Sequence, residues 1–208
     1  MASLFVTFEG IEGCGKSTQA ELLSQRLETL AIPVLLTHEP GVTGLGEHIT
    51  ELLKWTDGIS ITPLAELLMF NASRAQLVEE VICPELEKGT VVICDRYADS
   101  TTAYQGYARG LSLDTVEEAN RLGTQGLVPD LSILLDIPVE EGIARKAGMK
   151  PDRFETESKT FHRRVRRGYL KLAEAEPWRW LVIDGTQDVD AVAGIIWQHI
   201  MELLSSRE

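Results

Sequence analysis

The chain has 208 residues, enough for one sizeable core. Hydrophobic residues make up 44% of it and charged residues 25%, the balance of a folded domain rather than of a disordered or fibrous chain. A formal net charge of -12 repels polyanions at long range, which argues against DNA or RNA as a partner yet leaves room for a small anion in a local basic pocket.

Apolar runs alternate with longer helical patterns along the chain. Leu4–Phe8 reads as a buried strand. A helix follows over about Lys16–Leu30, with Leu22, Leu23, Leu27 and Leu30 on one face. Pro33–Thr37 is a second strand, and the Pro and Gly punctuation of His38–Gly44 marks a loop. A short helix covers about Leu45–Trp55, and Asp57-Gly58 turns the chain. Thr62-Pro63 suits the N-cap and first position of a helix that runs to Cys83, before Pro84. Thr90–Cys94 is a third strand, followed by helical stretches at Ala98–Tyr107 and Ser112–Gly126. Leu131–Leu135 is a fourth strand, Pro138 opens another helix, and Gly142–Arg153 is polar and basic. A long helix over Glu157–Glu174, a fifth strand at Trp180–Ile183 and a last helix at Val189–Leu204 complete the chain. Five short apolar strands separated by helices predict a parallel sheet covered on both faces, with right-handed crossovers.

No apolar run approaches the ~18 residues of a membrane span, and the N-terminus lacks a basic segment leading into an apolar one. Neither a membrane nor a targeting leader is expected. The cysteines, Cys14, Cys83 and Cys94, are odd in number and lack metal-ligand spacing. Cys83 and Cys94 read as buried thiols, which suits a reducing, cytoplasmic setting. His38, His48, His162 and His199 form no spaced constellation.

Between the first strand and the first helix, Gly10-Ile11-Glu12-Gly13-Cys14-Gly15-Lys16-Ser17 fits G-x-x-x-x-G-K-[ST] at every fixed position. The glycines permit positive φ and leave no Cβ in the way, so successive N–H groups can turn inward around a phosphate. The following helix aims its unpaired N–H groups and positive dipole end at the same anion. Lys16 suits the β- and γ-phosphates, and the Ser17 hydroxyl suits Mg²⁺. Thr18 continues the motif. A random chain of this length matches roughly once in a hundred or fewer, and here the required strand and helix flank the match.

Ligands of such folds sit beyond the carboxyl ends of the strands. Asp95-Arg96 directly follows strand three: Asp95 suits a Mg²⁺-bound water and Arg96 a bridge between phosphates, the plain alternative being a capping Asp beside a surface Arg. Phe70 and Arg74 lie four apart on one helix face. A ring with a planar donor fork suits a nucleobase, and equally a core Phe with a snorkelling Arg. Arg145, Lys146, Lys150 and Arg153 crowd the segment after strand four, as phosphate ligands or as a solvated basic loop.

Taken together these residues resemble the thymidylate kinase family of bacterial type. The resemblance spans nearly the whole chain. It rests on Phe8–Gln19, Glu39-Pro40-Gly41 with Thr43, Phe70 with Arg74-Ala75-Gln76, Asp95-Arg96-Tyr97, Ser100-Thr101, Ala103–Gly106, Pro129-Asp130-Leu131 and Leu135-Asp136. It implies a single three-layer P-loop kinase domain over residues 1–208, with a short lid near 145–156. It also implies ATP-dependent, Mg²⁺-assisted phosphorylation of dTMP to dTDP for dTTP synthesis, and a homodimer. Carried over by position, Phe70 stacks on thymine, Arg74 donates to its 4-oxo group, and Thr101, Gln105 and Glu39 fall on the acceptor side. Tyr104 crowds the sugar 2′ position and Glu12 faces its 3′-hydroxyl. Lys16 and Arg96 clamp the transferring phosphates. Because the variable positions of the loop hold no basic residue, a further cation is expected from Arg153, with Arg145 as substitute. Val42 departs from the family pattern, standing where a second glycine is usual, and the lid is short.

Two rivals stay open at this stage. One is a kinase for another nucleotide or nucleoside. The other, of a different class, is a nucleotide-dependent switch, although no Asn-Lys-x-Asp base-reading motif is present.

Overall fold

The computed structural model describes residues 3–55, 58–148 and 150–206. Asp57 of the expected Asp57-Gly58 turn lies outside them. Five parallel strands, β1 (Leu4–Glu9), β2 (Val34–His38), β3 (Val91–Asp95), β4 (Leu131–Asp136) and β5 (Trp180–Asp184), form one sheet in the order β2-β3-β1-β4-β5. The central strand β1 is buried along its whole length and pairs with β3 from Leu4↔Val91 to Phe8↔Asp95, and with β4 from Val6↔Leu131 to Glu9↔Leu134. That register sets the ends of β1, β3 and β4 side by side, so the loops leaving them converge.

Alternation along β1 explains the two covering layers. Leu4, Val6 and Phe8 join a cluster with Ala20, Leu23 and Leu27 of α1 (Lys16–Thr29), whereas Phe5 meets Leu77, Val78, Ile82 and Tyr97 in another. In α1 the buried face runs Lys16, Gln19, Ala20, Leu23, Ser24, Leu27. Leu30, expected on that face, ends the helix 52% exposed, and Leu22 is only half-buried. The remaining helices are α2 (Gly44–Trp55), α3 (Pro63–Leu77), α4 (Cys83–Glu87), α5 (Ala98–Thr101), α6 (Leu113–Gly123), α7 (Val139–Arg145), α8 (Lys159–Ala175) and α9 (Val189–Ser205).

Thr62 caps α3 as expected, its hydroxyl accepting from the Ala65 N–H with Pro63 at the start of the helix. The helix does not stop before Pro84. It widens into π geometry over Val78–Ile82 and continues as α4. The wider turn takes up the proline, which has no N–H and crowds the preceding carbonyls. Cys83, at this junction, is half-buried rather than buried. The stretch expected as a helix at Ala98–Tyr107 is α5 followed by a π-helix over Thr102–Ala108. Gly168 of α8 lets Tyr107 lie against that helix, since an added Cβ would sit 2.8 Å from the Tyr107 ring. Among the described residues no helix is long and apolar enough to cross a membrane.

Candidate active site

The converging loops enclose a cavity of about 1090 Å³, at the upper end for a ligand site. The loop Gly10–Gly15 forms its floor. Gly13 (φ 75°) and Gly15 (φ 95°) take the left-handed conformations that the motif requires. Glu12 through Thr18 border the cavity; Ile11 instead packs into the core, and Gly10 and Ile11 contribute carbonyls. The Lys16 ammonium donates to those carbonyls at 3.2 and 3.0 Å. A Cβ on Gly13 would overlap the Gly142 carbonyl oxygen, and one on Gly142 would overlap that of Glu12. The loop and α7 are therefore packed backbone on backbone.

Arg96 follows β3 with a φ of 73°, a strained value for a residue with a side chain. Its surroundings hold it there. Nη1 donates to the Gly10 carbonyl at 3.1 Å, to Ser100 Oγ at 3.2 Å and to Tyr169 OH at 3.1 Å. Nη2 pairs with the Glu12 carboxylate and donates to Tyr104 OH at 3.3 Å. Burial alone would raise the Glu12 carboxyl, but Arg96, Lys16, Lys146 and Lys54 outweigh it and hold it down at about 2. Burial pushes the Tyr104 and Tyr169 phenols well up, so both stay neutral hydrogen-bonding groups. Beneath them, burial and the nearby Asp99 push Glu9 up to about 8; it accepts from the Tyr97 N–H at 2.8 Å and Ser100 Oγ at 2.7 Å.

Asp95 borders the cavity, and Ser17 Oγ donates to its Oδ2 at 2.5 Å. Its Oδ1 is buried with no hydrogen-bond partner. A hydroxyl beside a carboxylate oxygen still seeking a partner fits a hydrated Mg²⁺, which keeps several waters and needs few protein ligands. Among the described residues no cluster of three or more His, Cys, Asp or Glu forms an all-protein metal cage.

At the far end Phe70, Arg74, Thr101, Tyr104 and Gln105 line the wall. Arg74 is buried and fully committed on most of its fork. Nε and Nη2 reach the Glu39 carboxylate at 2.9 and 2.7 Å, and Nη1 reaches Asn71 at 2.9 Å and Thr101 and Asn120 at 3.3 Å. Of five donors, one Nη2 hydrogen is left for a ligand. Glu39 also borders the cavity, with both carboxylate oxygens held by Arg74. Burial raises its carboxyl while Arg74 pulls it back. Thr101 is likewise engaged, donating to Asn120 at 2.6 Å. Gln105 donates to Glu66 at 2.8 Å, and its own carbonyl oxygen is buried without a partner.

The two lid arginines part company. Arg145 borders the cavity and donates to the Gly185 carbonyl at 3.1 Å and, at 3.5 Å, to that of Gly13. Arg153, expected to reach the transferring group, is absent from the cavity wall: Nε donates to the Leu53 carbonyl at 2.7 Å and Nη2 meets Glu66 at 2.7 Å. The helix-end carbonyl accepts from the guanidinium and the buried carboxylate attracts its charge, and together they hold it. Lys146 and Lys150 of the same basic stretch stay on the wall.

Sequence reasoning missed Asn120, Tyr169, Glu66, Phe154 and Gln19. Phe154 was visible only as an apolar residue inside a polar stretch. Gln19 was visible as a polar residue on the inner face of α1, where its amide donates to the Val189 carbonyl at 2.9 Å.

A phosphate-cradling loop on a five-stranded parallel sheet, facing an aromatic pocket across a strained arginine, defines a P-loop nucleotide kinase. The sequence pattern of the family described as thymidylate kinase matches residues 8–196. A thymidylate kinase of Dehalococcoides mccartyi is 52% identical over 202 residues, covering 97% of this chain and 98% of that protein. One from Geotalea daltonii is 52% identical over 194 residues, covering 89% and 91%. The crystal structure of thymidylate kinase from Ehrlichia chaffeensis superposes with a TM-score of 0.73 at 36% identity, covering 88% of this chain and 93% of that one. The chain belongs to the thymidylate kinase family.

Proposed function

We propose that this cavity transfers the γ-phosphoryl group of ATP to dTMP, giving dTDP for dTTP synthesis, by direct in-line displacement with no covalent enzyme intermediate. One observation carries the reading: a single cavity joins the phosphate loop to a pocket of Phe70, Arg74 and Tyr104, with Arg96 between them. Such a transfer needs positioning and charge neutralisation more than proton chemistry.

Each group then has a task. The Gly10–Thr18 loop binds the ATP phosphates, and Lys16 exchanges loop carbonyls for phosphate oxygens. Ser17 and Asp95 would hold Mg²⁺, Asp95 through water. The metal supplies charge neutralisation between the phosphates. Arg96, fixed by Tyr169, Ser100 and Glu12, spans the donor and acceptor phosphates. Arg145, on the cavity wall beside the loop, supplies the second cation. Phe70 stacks on the base and the free Nη2 hydrogen of Arg74 meets its 4-oxo group, with Thr101 and Gln105 alongside. Tyr104 excludes a 2′-hydroxyl, and Glu12 faces the 3′-hydroxyl. Residues about 145–156 act as a short lid on one kinase domain.

A homodimer formed through α2, α3 and α6 is supported by Leu45, Leu52, Leu64, Leu68 and Leu122, all large, apolar and exposed on those helices. A cytoplasmic setting is supported by the free thiols.

A coupled assay with Mg·ATP and dTMP, dUMP, dCMP, dGMP or AMP tests the proposal. dTMP is expected to give the highest kcat/KM, and chelation of Mg²⁺ to stop turnover. Faster turnover of another nucleotide overturns the acceptor assignment. Slow hydrolysis that ignores every acceptor would instead favour a switch.

A further inference from the structure

Residues 150–157, between α7 and α8, are irregular, yet Phe154 among them is only 5% exposed. Its ring centroid lies 5.7 Å from that of Phe70 and 6.2 Å from that of Tyr104. Asp152 shapes the turn that presents it, accepting from the N–H groups of Phe154 at 2.8 Å and Glu155 at 2.9 Å. Arg153 lies beside it with its guanidinium 4.6 Å from the Phe154 ring centroid. Three contacts tie that arginine to the α2–α3 corner. Its backbone N–H donates to the Lys54 carbonyl at 3.3 Å, Nε to the Leu53 carbonyl at 2.7 Å, and Nη2 makes a charge contact with Glu66 at 2.7 Å.

Glu66 is fully buried and also receives Gln105 at 2.8 Å and Arg109 at 3.1 Å. Those two residues hydrogen-bond the buried carboxylate, and Arg153 Nη2 adds its charge at 2.7 Å without a hydrogen bond. The same carboxylate touches the π-helix that carries Tyr104 and Gln105, so the anchor and the pocket share a residue.

We propose that Arg153 is a positioning residue: pinned by Glu66 and the Leu53 carbonyl, it seats Phe154 against Phe70 and Tyr104, making the segment after α7 one wall of the acceptor-nucleoside pocket. The proposal rests on the acceptor reading of the Phe70 side given above. For Arg153 to reach a transferring phosphoryl group it would have to leave a buried carboxylate. Arg145, Lys146 and Lys150 already border the cavity without such a tie to Glu66.

The test uses the full chain with Arg153→Ala, Arg153→Lys, Phe154→Ala and the Ala/Ala double variant. Arg153→Ala and Phe154→Ala are each expected to raise KM for dTMP about 10-fold, with kcat and KM for ATP within about 3-fold of the parent. Arg153→Lys, which keeps a cation for Glu66, recovers most of the loss. The double variant is no worse than the weaker single one, since both changes remove the same wall. Independently of activity, backbone amides of residues 150–158 exchange hydrogen faster in Arg153→Ala than in the parent. A fall in kcat of about 100-fold with an unchanged KM for dTMP overturns the proposal and returns Arg153 to the phosphoryl group. Equal rises in KM for dTMP and ATP, multiplying effects in the double variant, or unchanged exchange overturn it too. If the parent does not phosphorylate dTMP, it is the acceptor reading that fails, and the exchange measurement still judges the anchor.

Discussion

Replacing Arg74 by alanine tests the buried ion pair on which the base pocket rests. The guanidinium is 1% exposed and makes close contacts with both oxygens of Glu39, itself buried. Asn120 Oδ1 keeps the single Thr101 hydroxyl hydrogen as its donor, at 2.6 Å, when Arg74 is removed. Glu39 and Asn71 lose most. A buried charge stripped of its partner costs about 3–5 kcal/mol, to which the Asn71 carbonyl oxygen adds about 1 kcal/mol. For a chain of this size, a total of about 4–6 kcal/mol lowers Tm by roughly 8–24 °C. The loss depends on pH in a definite direction. Glu39 already titrates above the ordinary carboxylate value through burial, and without Arg74 nothing comparable pulls it back. Its folded-state pKa then lies further above its unfolded one. The folded state binds the extra proton, and stability falls as pH rises between the two values. Urea unfolding followed by tryptophan fluorescence should therefore show a large deficit against the parent at pH 8 and a smaller one at pH 5. A deficit under about 1 kcal/mol that is flat with pH would refute the reasoning, since an exposed pair behaves that way.

Other outcomes follow from single contacts. Lys16→Met should abolish turnover while leaving the circular dichroism spectrum unchanged; near-parental activity in the folded variant would remove the phosphate role of the loop. Val42 holds a φ of 71° although it is β-branched and 39% exposed. Val42→Gly should therefore raise the urea midpoint by the equivalent of about 0.5–2 kcal/mol, and a lowered midpoint would show that the side chain is worth more than the strain. Tyr104→Ala should admit the ribonucleotide of the same base, and Tyr104→Phe should not. Equal exclusion by both would make Tyr104 a core residue only.

The phosphate loop was legible because its chemistry is written in backbone requirements: glycine at Gly13 and Gly15 is what positive φ demands. Phe70 and Arg74 were legible through helical spacing, since four residues is one turn. Two of their partners were not, because Glu39 and Asn120 reach Arg74 from separate elements. The choice between Arg145 and Arg153 was invisible for the same reason. Both stand in one basic stretch, and the Leu53 carbonyl and Glu66, on helices far back in the chain, turn one of them away. Periodicity misjudged α1, whose inner face carries Lys16 and Gln19 beside its leucines because its first turns border a polar cavity. The π-helix over Thr102–Ala108 has a pattern that reads as an ordinary helix. It packs against α8 where Gly168 meets Tyr107, a contact that local sequence does not encode.

The contact between Gly13 and Gly142 has a mechanical consequence. Two backbones meet there with no side chain between them to yield. Packed interiors transmit displacement instead of absorbing it, so the phosphate loop and the root of α7 move as one piece. Arg145, at the end of that helix, keeps a fixed place beside the loop, within 3.5 Å of the Gly13 carbonyl.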